Sequence, residues 1–144
     1  MSKYLDDLIF DRTVEDIQKL TDKAYIDHND LNRVEAAIKW VSYVLNRYGY
    51  RNKTDNKLNW QMSDWRTESD MRRLKSNLEE IKRVFFIPDN SPMIPERITY
   101  TSIYQANAIE KIIHDVGMVV ENMSPGQQHL GFRLGARVIG NRRV

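Results

Sequence analysis

The sequence predicts a mainly α protein: a small helical bundle of three to four helices, followed by a C-terminal extended arm or short β-strand. Three observations predict it. Apolar residues recur at alternating spacings of three and four along three long segments, each segment opens on a residue suited to capping a helix, and apolar residues alternate strictly with other residues only near the C-terminus. The 144 residues allow one domain, with 41% apolar against 29% charged side chains. A chain of this size buries roughly two-thirds of its unfolded surface and needs no metal or disulfide staple. The pattern divides into a bundle over residues 1–123 and a basic, glycine-containing arm over residues 124–144.

The first helix begins at Thr13, whose hydroxyl caps a free backbone N–H, with Asp16 at the third helical position and Val14, Ile17, Leu20 and Ala24 toward one side. "YIDH" interrupts it. In the second, Asn29 is the expected N-cap, Leu31, Val34, Ile38, Val41, Leu45 and Tyr48 form the stripe, and Gly49 supplies the left-handed terminator. The insert "RNKTDNKLNWQMSDWR" is too polar for a core element, although Trp60 and Trp65 can clip it to one. The third helix opens at Thr67 with Asp70 in capping-box position, carries Met71, Leu74, Leu78, Ile81 and Phe85, and ends before Pro88, Pro92 and Pro95. The fourth opens at Ser102, with Gln105 at capping-box spacing, and carries Ala106, Ile109, Ile113, Val116, Val120 and Met123. Gly117 lies inside it at a cost of up to about 1 kcal/mol relative to alanine, which points to close packing there. Such stripes suit helices packed nearly antiparallel, and the same seams also join subunits.

The absence of cysteine removes thiolate chemistry and fits a reducing cytoplasm. No apolar run approaches the length of a membrane span, and acids occupy the N-terminal stretch where a signal peptide is apolar, so neither membrane insertion nor secretion is expected. Twenty-two basic against twenty acidic residues leave a net charge of +2. No acid follows Glu121, whereas Arg133, Arg137, Arg142 and Arg143 do. Glu110 and His114 stand one helical turn apart with Asp115 adjacent, but no second pair completes a helical metal site. Phosphate loops, nucleophile elbows and zinc-helix motifs are missing, and Asp6-Asp7 and Glu79-Glu80 read as solvated charge. No catalytic, metal or cofactor-binding residue is therefore assigned, and a small hydrolase or metal enzyme is disfavoured. Arg72, Arg73, Lys75, Lys82 and Arg83 could neutralise phosphates, yet Glu68, Asp70, Glu79 and Glu80 interrupt them, which argues against a nucleic-acid track. In the arm, Phe132, Arg133, Leu134, Arg137 and Val138 are the expected partner-docking residues, adding a strand to a sheet edge on another subunit; the alternatives are folding back on the bundle or staying mobile.

Four blocks, "LIFDRTVEDI", "DLNRVEAAIKW", "TESDMRRLKSNLEEIKRVF" and "ITYTSIYQANAIEKIIHDV", span about residues 5 to 123. Their order and spacing resemble a family of small structural proteins from tail and baseplate modules of phages, prophages and phage-tail-like particles of Gram-positive bacteria. The resemblance rests on Asp11, Arg12 and Thr13, on Asp30 through Val34, on Trp65 before a helix, and on Tyr100, Ala106, Asn107, Ile109, Glu110 and Lys111. It implies a non-enzymatic virion component assembled in the host bacterial cytoplasm, often associated with fibre or receptor-binding parts, a homo-oligomer that docks other tail proteins. A nucleic-acid-binding protein and a tail-assembly chaperone absent from the finished particle are the alternatives. The arginine-bearing arm departs from the family's aromatic-Ser-Gly endings. Physically, Asn32 and Asn107, just inside two helices, can bridge loop carbonyls, while Arg12 and Arg33 can pair with Asp11, Asp30 or Glu110. The polar helix entrances Arg12, Asn32, Arg33, Asn107 and Glu110 are thus expected to lock helices together.

Overall fold

A computed structural model describes residues 3–123. It is mainly helical: α1 (Lys3–Asp6), α2 (Val14–Gln18), a 3-10 turn (Asp22–Ala24), α3 (His28–Arg47), α4 (Glu68–Val84) and α5 (Ile103–Glu121). Each long helix starts where a side chain can cap it. Asp27, not Asn29, caps α3, because its carboxylate takes the N–H groups of Asn29 and Asp30 while the Asp30 carboxylate returns to the Asp27 N–H. Thr67 and Ser102 cap α4 and α5, accepting from the N–H groups of Asp70 and Tyr104. Gln105 does not complete the Ser102 cap; its Oε1 instead receives the N–H groups of Thr99 and Tyr100 at 2.7 and 2.8 Å. Gly49 has φ 92°, the left-handed backbone that ends α3 without a Cβ clash.

The apolar stripes of α3, α4 and α5 meet in one core with Trp60, Ile98 and Tyr100 from the connections. Leu5 of α1 sits on Gly117 of α5, where an added Cβ would strike its side chain. At α2 the expected stripe does not reach the core: the helix is capped by Thr13 and Asp16 as read, but Val14, Ile17 and Leu20 are exposed. Leu20 takes φ 55° just beyond the helix, so Ala24 falls in a separate turn rather than on its face.

The long helices run parallel rather than antiparallel. Arg33 meets Glu110, and fifteen residues further on the Tyr48 hydroxyl reaches the Met123 carbonyl at 3.3 Å, so α3 and α5 advance together. Arg66 binds the Ile26 carbonyl, Arg73 binds Glu35, and the Tyr50 and Phe85 rings meet edge to face, so α4 advances with α3 as well. Three-four spacing fixes which face is buried but not the direction of the chain. Direction is set by the connections, each long enough to return the whole length: a twenty-residue helix spans about 30 Å, roughly ten extended residues.

The second return segment, residues 85–102, is tied down by polar contacts: Lys75 to the Glu96 carbonyl, Ser91 to Asp115 at 2.6 Å, and Arg97 opposite Glu68 at 3.6 Å. Burial works against the Asp115 charge, but hydrogen bonds from Lys111, Ser91 and His114 and the Lys111 ammonium outweigh it and hold the carboxyl below the usual aspartate value. With the folded value depressed, this stabilisation is present above the unfolded value of about 3.9 and is lost as pH falls through the folded one. Wild type should therefore exceed Asp115→Asn in urea midpoint at neutral pH, and the gap should close in strong acid. A gap that stays constant over that range would mean that Asp115 acts through packing and not through charge.

Candidate functional site

Arg12 enters between α3 and α5 from the connection after α1, and its side chain is fully buried. Its Nη2 donates to Glu110 Oε2 at 2.8 Å and to Asp30 Oδ1 at 3.2 Å, Nη1 donates to the Ile9 carbonyl at 2.9 Å, and Nε donates to the Lys23 carbonyl at 2.7 Å. Arg33 reaches the same acids from α3, with Nε on Glu110 Oε1 at 3.0 Å, Nη2 on Glu110 Oε2 at 2.9 Å, and a further bond to Asp30. Burial opposes the Arg33 charge, yet the bonds and charges of Glu110 and Asp30 outweigh it and hold the guanidinium above its ordinary value. Glu110 also accepts the Ile9 N–H at 2.9 Å. Asn107 accepts the Arg12 N–H at 3.1 Å and donates to the Arg12 carbonyl at 2.8 Å, clamping the connection from both sides. Two arginines and two carboxylates thus balance inside the fold, with their bonding capacity largely used by protein. Asp11 takes no part; it lies on the surface 3.4 Å from Lys23.

Asn32 works elsewhere. Its amide accepts the Trp60 N–H at 2.7 Å and donates to the Trp60 carbonyl at 3.0 Å, the same two-sided clamp that Asn107 makes. One helical turn on, the buried Glu35 accepts from the Lys57 N–H at 2.9 Å, from the Trp60 indole and from Arg73, whose Nη2 lies 3.1 Å away. Asn77 takes the Asp55 N–H at 3.0 Å and donates to its carbonyl at 2.7 Å. Residues 50–66 therefore run back along α3 as an extended segment whose backbone is satisfied by helix side chains. The sequence pattern does not single out Glu35 or Asn77, and it marks Arg73 only as a possible phosphate contact, not as the partner of Glu35. The available signal was an acid beside the α3 stripe, facing an insert that lacks regular backbone partners of its own.

The first return segment leaves a cleft of about 330 Å³ beside the N-terminus of α3, floored by Leu31 and Trp60 and rimmed by Tyr25, Met62 and Trp65. Of the two tryptophans expected to clip the insert, only Trp60 does so; Trp65 is exposed. His28 lines this cleft, and its Nδ1 is buried without a hydrogen-bond partner among the described residues. Tyr100 is fully buried with φ 56°, held by Gln105 at its N–H and Arg66 at its carbonyl; burial and the nearby Glu110 charge push its phenol well above the usual value.

Glu110 is committed to the arginines, so it and His114 do not form a ligand pair; His114 packs on Phe10 and lies 3.5 Å from Asp115. Among the described residues no group of three or more His, Asp or Glu could hold a metal, and no helix is long and apolar enough to cross a membrane. Of the basic residues on α4, Arg73 is bound to Glu35, Arg83 to Glu80, and Lys75 to a carbonyl. The arm residues Phe132, Arg133, Leu134, Arg137 and Val138 lie outside the described residues. The fold and these clusters define a parallel-helix bundle locked by buried ionic and amide clamps. Compared with known proteins, the chain matches no family model, no curated protein and no solved structure.

Proposed function

We propose that the chain is a non-enzymatic structural component of a phage tail or phage-tail-like particle, an adaptor near the baseplate or tail fibre that forms homo-oligomers and docks other tail proteins. The observation that carries this reading is how the polar residues at the helix entrances are used. Arg12, Asn32, Arg33, Asn107 and Glu110 each hold one chain segment against another, and none lines the cleft beside α3. Rigid elements with fixed relative rotation suit a part that must repeat the same contacts around a symmetric tube. The exposed aromatic cleft is a surface suited to protein contact.

The test is quantitative mass spectrometry of purified particles, where the chain should appear at a fixed copy number relative to the tail tube. Presence in the producing cells with absence from finished particles would replace this reading with that of an assembly chaperone. Deleting residues 125–144 should leave a folded protein that no longer joins the particle. Normal incorporation of the truncated chain would remove the arm from the docking role.

A further inference from the structure

We infer that the cleft beside the N-terminus of α3 receives the apolar arm, residues 132–138, of a second copy of this chain, joining copies head to tail. The inference rests on the oligomeric part of the reading above. Three large side chains stand out at one cleft: Tyr25, Met62 and Trp65 are 70%, 83% and 85% exposed, around a floor of Leu31 and the buried Trp60. Apolar surface of that kind, concentrated at a concave site, is a contact surface in want of a cover. The rim also carries Asp27, whose carboxylate caps α3, Asp64, faced by Lys57 at 3.3 Å, and Arg66, bound to the Ile26 and Tyr100 carbonyls.

The occupant follows from where the chain goes. Because α3 and α5 are parallel, Met123 lies beside Tyr48 at the C-terminal end of α3, while the cleft opens at His28, the other end. The two are a helix length apart, about 30 Å. Residues 124–132 span at most about 30–32 Å when fully drawn out, so Phe132 would meet its own cleft only with the chain taut along the whole bundle. In a copy stacked end to end, the cleft lies just beyond the exit point. The sequence that leaves there alternates Phe132, Leu134, Ala136 and Val138 with Arg133, Gly135 and Arg137, an apolar face that matches the apolar cleft. A contact between two different surfaces of identical chains is heterologous, and it closes into a ring or continues as a filament.

The experiment uses the full chain, a cleft variant carrying Met62→Ser and Trp65→Ser, and a chain lacking residues 125–144, each followed by sedimentation at tens of micromolar. Both substituted side chains are over 80% exposed, so the cleft variant should keep the wild-type helical content by circular dichroism. Wild type should associate, and either altered chain alone should associate at least about tenfold more weakly. An equimolar mixture of the two should form a heterodimer and stop there, because it retains one intact cleft and one intact arm. A monomeric wild type, whether its arm is free or folded onto its own cleft, overturns the inference. So does a mixture that gives no heterodimer, or undiminished association of the cleft variant. A chain that assembles this way yet is missing from particles would sink the tail reading and leave this one standing.

Discussion

Replacing Glu110 with glutamine should lower the unfolding free energy by about 3–5 kcal/mol, the cost of breaking a buried ion network by removing one partner. Glu110 is fully buried and receives three guanidinium bonds and one backbone bond, from Arg12, Arg33 and Ile9. Glutamine keeps the shape but loses the charge, and its amide nitrogen sets a donor against a donor. Asp30 alone would then balance two arginines. Since a domain of this kind is stable by only about 5–15 kcal/mol in total, the variant should show a large fall in urea midpoint at neutral pH. Adding Arg33→Met should recover part of the loss, because it restores the balance of one cation to one anion. Breaking the exposed Glu15–Lys19 pair on α2 by Lys19→Ala should leave the midpoint unchanged within scatter. A fall of less than about 1 kcal/mol for Glu110→Gln would mean that the cluster does not lock α3 to α5.

What the sequence made legible, and what it hid, follows from the range of each interaction. Capping is local, so Thr13, Thr67 and Ser102 could be read directly, and α3 was missed only by two residues because Asp27 and Asn29 are both good caps. Burial is periodic, so the stripes of α3, α4 and α5 were visible, whereas α1 is too short to show a period, and its one buried residue, Leu5, is recognised only through Gly117. Periodicity misled at Val14, Ile17 and Leu20, where the helix ends at Gln18 before its face can dock. The partners of Arg12 were narrowed to three carboxylates, but adjacency in sequence offered Asp11, and only the docking of α5 on α3 selects Asp30 and Glu110. Helix direction depends on how the connections bind across the fold, through Asn32, Glu35 and Asn77, and no local pattern reports that.

Glu35→Ala should test that last dependence, at a cost of about 3–5 kcal/mol. The substitution removes the carboxylate hydrogen-bonded to Arg73, leaving only Asp70 at 3.6 Å, and strands the Lys57 N–H and the Trp60 indole N–H in a largely buried place. Asn32 would still hold the Trp60 backbone, and Asn77 that of Asp55, so the segment between them should loosen while its ends stay pinned. Hydrogen exchange should report this locally. The Lys57 amide, whose acceptor is removed, should exchange much faster than in wild type under native conditions, while the Ile9 and Arg12 amides, held by Glu110 and Asn107, should keep their protection apart from the uniform effect of lower stability. Glu35→Gln, which can still accept from the Lys57 N–H, should fall between wild type and alanine. Uniform acceleration at Lys57, Ile9 and Arg12 would mean that Glu35 stabilises the bundle as a whole without holding the return segment in place, and the parallel course of α3 and α4 would need another cause.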